Sequence, residues 1–270
     1  AIKALHGFET PVYAGCARPL AQRQTTAQDV LGAHGMETTG APLPAAGTAP
    51  EPAHAVQAFI DTVRANPGRI TLLAIGPLTN IATAFALAPD LPGLLADIVI
   101  MGGSTVGGNS TAAAEFNIHA DPEAAARVFD CGVPVAMFGL NVCRQVTVSA
   151  AEVERLQRIG GERAAVFAGY LDGYVGIARR RGRPFQSVYD PTPVIWLARP
   201  DLFELQSGRV EIELAGRHTR GMTVCDLRAP AQARANARVA MKADGVPALE
   251  WAMQRLENLL GGAGRGQSPR

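Results

Sequence analysis

The sequence predicts an α/β fold with an open, mostly parallel sheet and helices on both faces. Three segments carry this prediction because each is short and apolar throughout: ITLLAIG, DIVIMGG and VPVAMFG. Strands that are covered on both sides have such continuous apolar runs, whereas strands with one wet face alternate. Helical patterns separate the three segments, which is the order expected of parallel strands joined by helices.

Length and composition agree with one large domain. The chain has 270 residues, of which 47% are hydrophobic and 18% charged, so it can bury a sizeable core. We predict a single domain over residues 1–262 and a disordered tail over residues 263–270. The net charge of +1 argues against nucleic acid or an anionic membrane as the main partner. We expect no membrane span and no signal sequence, because the apolar runs are too short.

The cysteines predict a cytoplasmic protein rather than a disulfide-linked or zinc-binding one. They form no C-x-x-C pair and have no metal-ligand spacing. We expect reduced, mostly buried thiols at Cys16, Cys131, Cys143 and Cys225.

The first elements are a helix end, a short strand, a loop and a helix. AIKALHG has the pattern of a helix that ends at Gly7, and PVYAG predicts a short strand. Residues 24–54 are rich in Pro, Ala, Gly and Thr and predict a long mobile surface loop, which in compact domains is often functional. The next segment, residues 53–65, predicts a helix that ends at Asn66-Pro67-Gly68. Its apolar face holds Val56, Phe59, Ile60 and Val63.

The later elements keep the alternation of strands and helices. Helices are predicted over residues 78–90, near residues 149–160 and 162–181, and over residues 246–260. The segments VEIELAG and ARVAMKAD predict two more strands.

A polar segment, NSTAAAEFNIHADPEAA, follows the strand in DIVIMGG. If the backbone is extended around Phe116, alternation sends the side chains of Glu115 and Asn117 to one side. Their donors and acceptors would suit a polyhydroxylated ligand such as a sugar, although both could instead cap neighbouring backbone. Asp121 is predicted to be the N-cap of a helix that starts at Pro122.

Two other motifs are ambiguous by themselves. The run MGGSTVGGNS has glycines that could cradle a phosphate, but it fits neither G-x-G-x-x-G nor a P-loop with its lysine. We favour glycines that let the backbone pass close to a ligand. Asp190, in SVYDPTPVIW, could be a functional carboxylate or an ordinary helix cap.

Four blocks of the sequence resemble the nucleoside hydrolase family of the inosine-uridine-preferring type. The similarity runs in order from PVYAG to the closing helix, so it covers nearly the whole chain. The pattern MGG…GN…AEFN…DPEAA is specific to that family. The blocks are IGPLTNIATAFALAPD, IVIMGGSTVGGNSTAAAEFNIHADPEAAARVF, VYDPTPVIWLARPDLF and TRGMTVCDLR.

The resemblance implies an enzyme that uses water to cleave the N-glycosidic bond of ribonucleosides, giving ribose and free base. It implies that Asn109, Glu115 and Asn117 hold ribose hydroxyls and that Met101 packs near the sugar. The family forms homodimers or homotetramers, and we expect the same here.

The resemblance also implies a calcium ion at the floor of the site, bound to the ribose 2′- and 3′-hydroxyls. Asp190 and the backbone carbonyl of Ile75 correspond to two of its ligands. Calcium is a hard ion, and ligation by oxygen atoms suits it.

Three departures from the family pattern affect this expectation. The aspartate motif D-x-D-x-x-x-D-D, which supplies most calcium carboxylates and the general base, is absent, and the chain begins around the second helix of the family fold. We therefore expect the first strand and helix to be missing. Tyr189 stands where the family often has histidine, which makes it the candidate hydrogen-bond donor to the leaving base. Leu31, in LGAHG, replaces the histidine of H-G-x-x-G.

These departures leave alternatives open. The chain could be a catalytically impaired or silent riboside-binding relative, or a truncated form of the enzyme. The glycine run leaves a phosphate- or dinucleotide-binding protein as a third reading. The sequence does not select a preferred base, because base contacts come largely from mobile loops.

Overall fold

The computed structural model of this protein describes residues 9–32, 39–40, 49–232 and 234–261. The predicted helix end before Gly7, His34 of the LGAHG motif and the predicted tail at residues 263–270 lie outside these ranges. The single domain predicted over residues 1–262 includes residues outside them and stays a prediction.

The central sheet of the described chain is mostly parallel, as predicted. The strands are β1 (Thr71–Ala74), β2 (Asp97–Met101), β3 (Val135–Phe138), β4 (Thr147–Val148), β5 (Gln186–Ser187), β6 (Phe203–Ile212), β7 (Thr223–Asp226) and β8 (Ala237–Ala243). The central sheet has the order β1-β2-β3-β8-β6-β7, and β4 pairs with β5 separately. The first four strands in that order run parallel, while β6 lies antiparallel between β8 and β7.

Within the described ranges a helix lies at each place where one was predicted, and further helices lie between them. They are α1 (Gln28–Leu31), α2 (Ala55–Ala65), α3 (Thr79–Leu87), α4 (Leu91–Leu94), α5 (Phe116–Ala120), α6 (Pro122–Phe129), α7 (Leu140–Cys143), α8 (Ala150–Gln157), α9 (Gly161–Arg180), α10 (Pro191–Ala198), α11 (Ala229–Gln232) and α12 (Gly245–Gly261). A 3₁₀ turn spans Pro200–Leu202. None of the described helices combines the length and the apolarity needed to cross a bilayer.

The central strands are apolar throughout because helices cover both of their faces. On β2, Ile98 and Ile100 pack against a cluster that includes α2, α3 and α6. Val99 and Met101 point to the other face, where α7 to α10 and α12 form a second cluster. All four side chains are at most 3% exposed. Each contributes about 1.5–3 kcal/mol to the free energy of unfolding by this burial.

The structure corrects three of the predicted elements and adds a strand that was not predicted. PVYAG is not a sheet strand, because Tyr13 makes only an isolated bridge with Glu51. The predicted loop at residues 24–54 contains α1. The strand assigned to VEIELAG begins earlier, at Phe203, where polar and half-exposed residues hide the apolar pattern of an antiparallel strand. The neighbouring strand β7 was not predicted, since it has only four residues, TVCD.

Candidate active site

The candidate site lies beyond the carboxyl ends of the parallel strands, where such sheets bind ligands. Met101 ends β2, and residues 102–108, here called the glycine loop, follow it. Ile75 follows the neighbouring strand β1, in which Ala74 pairs with Ile100. Asp190 lies between β5 and α10. Two parallel strands and a later turn therefore supply the predicted residues.

Glu115 is the N-cap of α5, so the backbone around Phe116 is helical and not extended, and Glu115 caps neighbouring backbone as the alternative had it. Its Oε2 accepts hydrogen bonds from the backbone N–H groups of Ile118, at 3.2 Å, and Gly103, at 3.0 Å. The side chain is only 3% exposed. The carboxylate thus joins the start of α5 to the glycine loop, and its predicted ribose-binding role stays a prediction.

Asn117 lies in the first turn of α5 and reaches the end of β2. Its Nδ2 donates to the carbonyl oxygen of Met101 at 2.9 Å and lies 3.4 Å from the Met101 sulfur. Both residues are buried. These contacts fix the amide plane of Asn117 without using its oxygen, which stays available as an acceptor.

Asn109 and Ile75 are more exposed than the Glu115–Asn117 pair. Oδ1 of Asn109 accepts from the backbone N–H of Phe116 at 2.9 Å, which closes the segment that leads into α5. The Ile75 side chain is 47% exposed. The calcium role of Ile75 concerns its backbone carbonyl and stays a prediction, as does the ribose role of Asn109.

The glycine loop is tied down by its own backbone hydrogen bonds. The N–H of Gly102 donates to the Phe138 carbonyl at 3.1 Å, and the Gly103 carbonyl accepts from Leu140 at 2.9 Å. Ser104 donates to Thr223 Oγ1 at 2.8 Å. The next two N–H groups, of residues 105 and 106, donate to the side chains of Asn141 and Ser104. Because these donors are already bound within the protein, the loop has little left to offer a phosphate.

The turn that carries Tyr189 and Asp190 is rigidly held. Thr192 Oγ1 donates to the Val188 carbonyl at 2.5 Å, and the Thr192 N–H donates to the Tyr189 carbonyl at 3.0 Å. Tyr174 on α9 donates to the Ser187 carbonyl at 2.7 Å. Asp190 occupies the N-cap position of α10, yet its side chain makes no capping hydrogen bond. The carboxylate is therefore free of the structural role that a cap would impose.

The electrostatics of the site come from two carboxylates that are partly removed from water. Desolvation by burial raises the pKa of Glu115, and the nearby charge of Asp190 acts in the same direction. Asp190 is exposed, but the protein around its carboxylate also raises the pKa of that group by desolvation. Such carboxylates favour a positive charge placed beside them.

The described residues fit a calcium ion only in part. Asp190 and the Ile75 carbonyl offer hard oxygen atoms, but calcium takes about six to eight oxygen ligands. Within the described ranges there is no cluster of three or more His, Cys, Asp or Glu side chains that could hold a metal. The described part of the chain therefore does not complete the predicted site.

Asp121 is the helix cap that the sequence predicts, and it has further contacts. It accepts from the Ala124 N–H at 3.1 Å as the N-cap of α6. It also accepts from Thr79 Oγ1 at 2.6 Å and from the Leu20 N–H at 2.9 Å. A single buried carboxylate thus joins α6, α3 and the segment at residues 9–32.

Sequence reasoning missed Thr223 and Asn141, which hold the glycine loop. Thr223 lies 119 positions from its partner Ser104. TRGMTVCDLR gives no periodicity from which such a pairing could be read. Only the structure reveals it.

Comparisons with known proteins agree with the fold and with the specific sequence blocks. The model of a family described as inosine-uridine preferring nucleoside hydrolase matches residues 1–249. The pyrimidine-specific ribonucleoside hydrolase RihA of Shewanella woodyi is 37% identical over 251 residues, which cover 92% of this chain and 80% of that protein.

Solved structures give the same result. A purine-preferring ribonucleoside hydrolase from Gardnerella vaginalis has a TM-score of 0.88 at 28% identity, over 97% of this chain and 84% of that chain. A plant nucleoside hydrolase, PpNRh1, has a TM-score of 0.82 at 27% identity, over 94% of this chain and 81% of that chain. The chain belongs to the inosine-uridine preferring nucleoside hydrolase family.

Proposed function

We propose that this protein hydrolyses the N-glycosidic bond of ribonucleosides and releases ribose and the free base. The observation that carries the proposal is the buried Glu115–Asn117 pair, which is anchored to the end of β2 by the glycine loop and the Met101 carbonyl. The type of reaction is inferred from family membership, and the Glu115–Asn117 pair is our proposed binding site for the sugar.

The buried carboxylate of Glu115 suits the charge that develops in this reaction. As the base departs, the ribosyl group becomes an oxocarbenium-like cation. A carboxylate that is held in place and shielded from water stabilises that cation more than the neutral substrate. In the proposal Asn109 and Asn117 bind ribose hydroxyls, and Met101 forms the apolar wall beneath the sugar.

The leaving base needs a hydrogen-bond donor, and Tyr189 is our candidate. The Thr192 N–H bonds to the Tyr189 carbonyl and fixes the backbone there, so the Tyr189 side chain starts from a fixed position beside Asp190. A phenol that donates to the base lowers the barrier to its departure.

We include calcium in the proposal as an ion that would bind the ribose diol. Asp190 and the Ile75 carbonyl would provide two of its ligands, and oxygen atoms beyond the described site would have to complete the set. When bound, such an ion lowers the pKa of a coordinated water.

We further propose a preference for pyrimidine ribonucleosides. The support is the RihA relative, which is named as pyrimidine-specific and is 37% identical, against 28% for the purine-preferring structure.

A second candidate is a riboside-binding relative that does not turn its ligand over. Leu31, which has no hydrogen-bonding side chain, favours this reading, because the family pattern has a histidine there. Such a protein would bind uridine without releasing uracil.

The test is base release from uridine, cytidine and inosine, each with calcium and with a chelator. We expect chelator-sensitive release that is faster from uridine and cytidine than from inosine. Binding of uridine without release would favour the second candidate. Release that no chelator slows would contradict the calcium proposal alone.

We also propose a cytoplasmic homodimer or homotetramer. The four cysteines are free thiols, which suits a reducing compartment. Light scattering should give a mass of two or four chains, and a mass of one chain would contradict the assembly.

A further inference from the structure

We infer that Thr223 is a positioning residue that sets the orientation of Glu115 through the glycine loop. This inference rests on the proposed function for its catalytic consequence. Its structural part concerns the loop alone and can be tested separately.

The hydroxyl of Thr223 binds both backbone groups of one residue. It accepts from the Ser104 N–H at 2.8 Å and donates to the Ser104 carbonyl at 2.6 Å. Thr223 is 3% and Ser104 5% exposed, so water does not readily replace these bonds. The hydroxyl therefore does for Ser104 what a neighbouring strand would otherwise do.

The methyl group of Thr223 fits against the glycine that precedes Ser104. Gly103 has a φ of +74°, and a Cβ placed there would lie 2.6 Å from Thr223 Cγ2. The loop can take this course because residue 103 has no side chain. Thr223 thus fixes the loop by two hydrogen bonds and by close packing.

The fixed loop in turn holds Glu115. The Gly103 N–H, one peptide unit before Ser104, donates to Glu115 Oε2. The same oxygen accepts from the Ile118 N–H at the start of α5. The path from Thr223 to the carboxylate therefore consists of direct bonds: Thr223 to Ser104, the peptide to Gly103, and Gly103 to Glu115.

The first experiment compares Thr223→Val with Thr223→Ser in uridine hydrolysis. Valine keeps the shape but removes both hydrogen bonds, whereas serine keeps the hydroxyl. We expect Thr223→Val to lower kcat/KM by about tenfold or more, because small displacements of a reacting group are costly. Most of the loss should fall on kcat, since the carboxylate counts most in the transition state. Thr223→Ser should stay within about threefold of the parent, because the bonds to Ser104 remain.

Val63→Ala controls for a general loss of stability. Val63 is fully buried on α2, in the cluster that covers the other face of the sheet from Met101. It should lower the melting temperature but keep kcat/KM. If Thr223→Val keeps the parent kcat/KM, or if Val63→Ala loses as much activity, the inference is wrong.

The second experiment does not depend on turnover. Amide hydrogen exchange of the purified protein should be faster in Thr223→Val at Ser104 and also at Ile118, which bonds to Glu115 and not to Thr223. Faster exchange at Ser104 alone would mean a local role and would overturn the inference. If the parent releases no base, the proposed function fails, and exchange at Ile118 still decides the role of Thr223.

Discussion

Glu115 caps α5 and, in our proposal, also stabilises the ribosyl cation; its raised pKa allows the two roles to be tested separately. Burial raises that pKa above the ordinary value of 4.5, so ionisation of Glu115 costs stability in the folded protein. That cost is absent below the ordinary pKa and develops as the pH rises through it. Glutamine keeps an acceptor oxygen for Gly103 and Ile118 but carries no charge.

We predict that Glu115→Gln melts at a higher temperature than the parent near neutral pH. The difference should shrink as the pH falls below the ordinary pKa of Glu115, because both side chains are then neutral. Thermal unfolding at several pH values measures it. A neutral-pH melting temperature below that of the parent would mean that the charged form is favoured in the fold.

Glu115→Ala removes the acceptor oxygen that Glu115→Gln keeps, so its effect on stability should be the opposite. It leaves the Gly103 and Ile118 N–H groups without their acceptor, at about 1–3 kcal/mol for each buried group. A fall in stability after Glu115→Ala therefore reflects the cap and does not argue against a role in binding ribose.

The sequence singled out Glu115 and Asn117, which the structure brings to the end of β2, but the local backbone differs from the one we considered. We considered extended backbone at Phe116 beside the capping alternative, and the structure shows the cap: Glu115 opens a helix and bonds to Gly103, and Asn117 bonds to Met101. Three residues are too few for alternation to distinguish a strand from a capped helix start.

The N-cap of α6, Asp121, bonds to residues of other segments as well as to its own helix. Asp121 is fully buried and bonds to Ala124, Thr79 and Leu20. Ser149, by contrast, caps α8 in a capping box whose contacts are local, with Ala151 and Glu152. The two caps form a natural comparison, because only one of them joins separate parts of the chain.

We predict that Asp121→Ala costs about 2 kcal/mol or more of unfolding free energy, since a lost cap adds to the unsatisfied buried hydroxyl of Thr79. Ser149→Ala should cost about 1 kcal/mol. Urea unfolding of both variants measures the difference. Equal losses would show that the bonds to Thr79 and Leu20 contribute little.

Whether a strand could be predicted from the sequence depended on how completely helices cover its two faces. β1, β2 and β3 were found from apolar runs because helices cover both of their faces. β6 and β7 lie at the antiparallel end of the sheet, where Glu204, Gln206 and Ser207 interrupt such a run. The sequence therefore located the centre of the sheet more accurately than its far edge.

Across the molecule, polar contacts between distant residues join elements that the hydrophobic pattern of the sequence places only locally. Arg220 reaches Glu123 at 2.5 Å and Gln22 at 3.4 Å, joining the turn before β7 to α6 and to the segment at residues 9–32. Arg238 binds both carboxylate oxygens of Asp97 and lies 5.5 Å from the Trp196 ring centroid. No local pattern encodes such pairs, whereas the family resemblance, which depends on whole blocks, predicted the fold that contains them.

We predict that this chain itself hydrolyses ribonucleosides at the Glu115–Asn117 site. The most direct test is uracil and ribose release from uridine by the parent and by Glu115→Gln, purified identically. We predict release by the parent and a rate lower by about a hundredfold or more in Glu115→Gln, which keeps the fold but lacks the negative charge. Equal release by both proteins would place the reaction elsewhere or in a contaminant, and no release by the parent would contradict the claim.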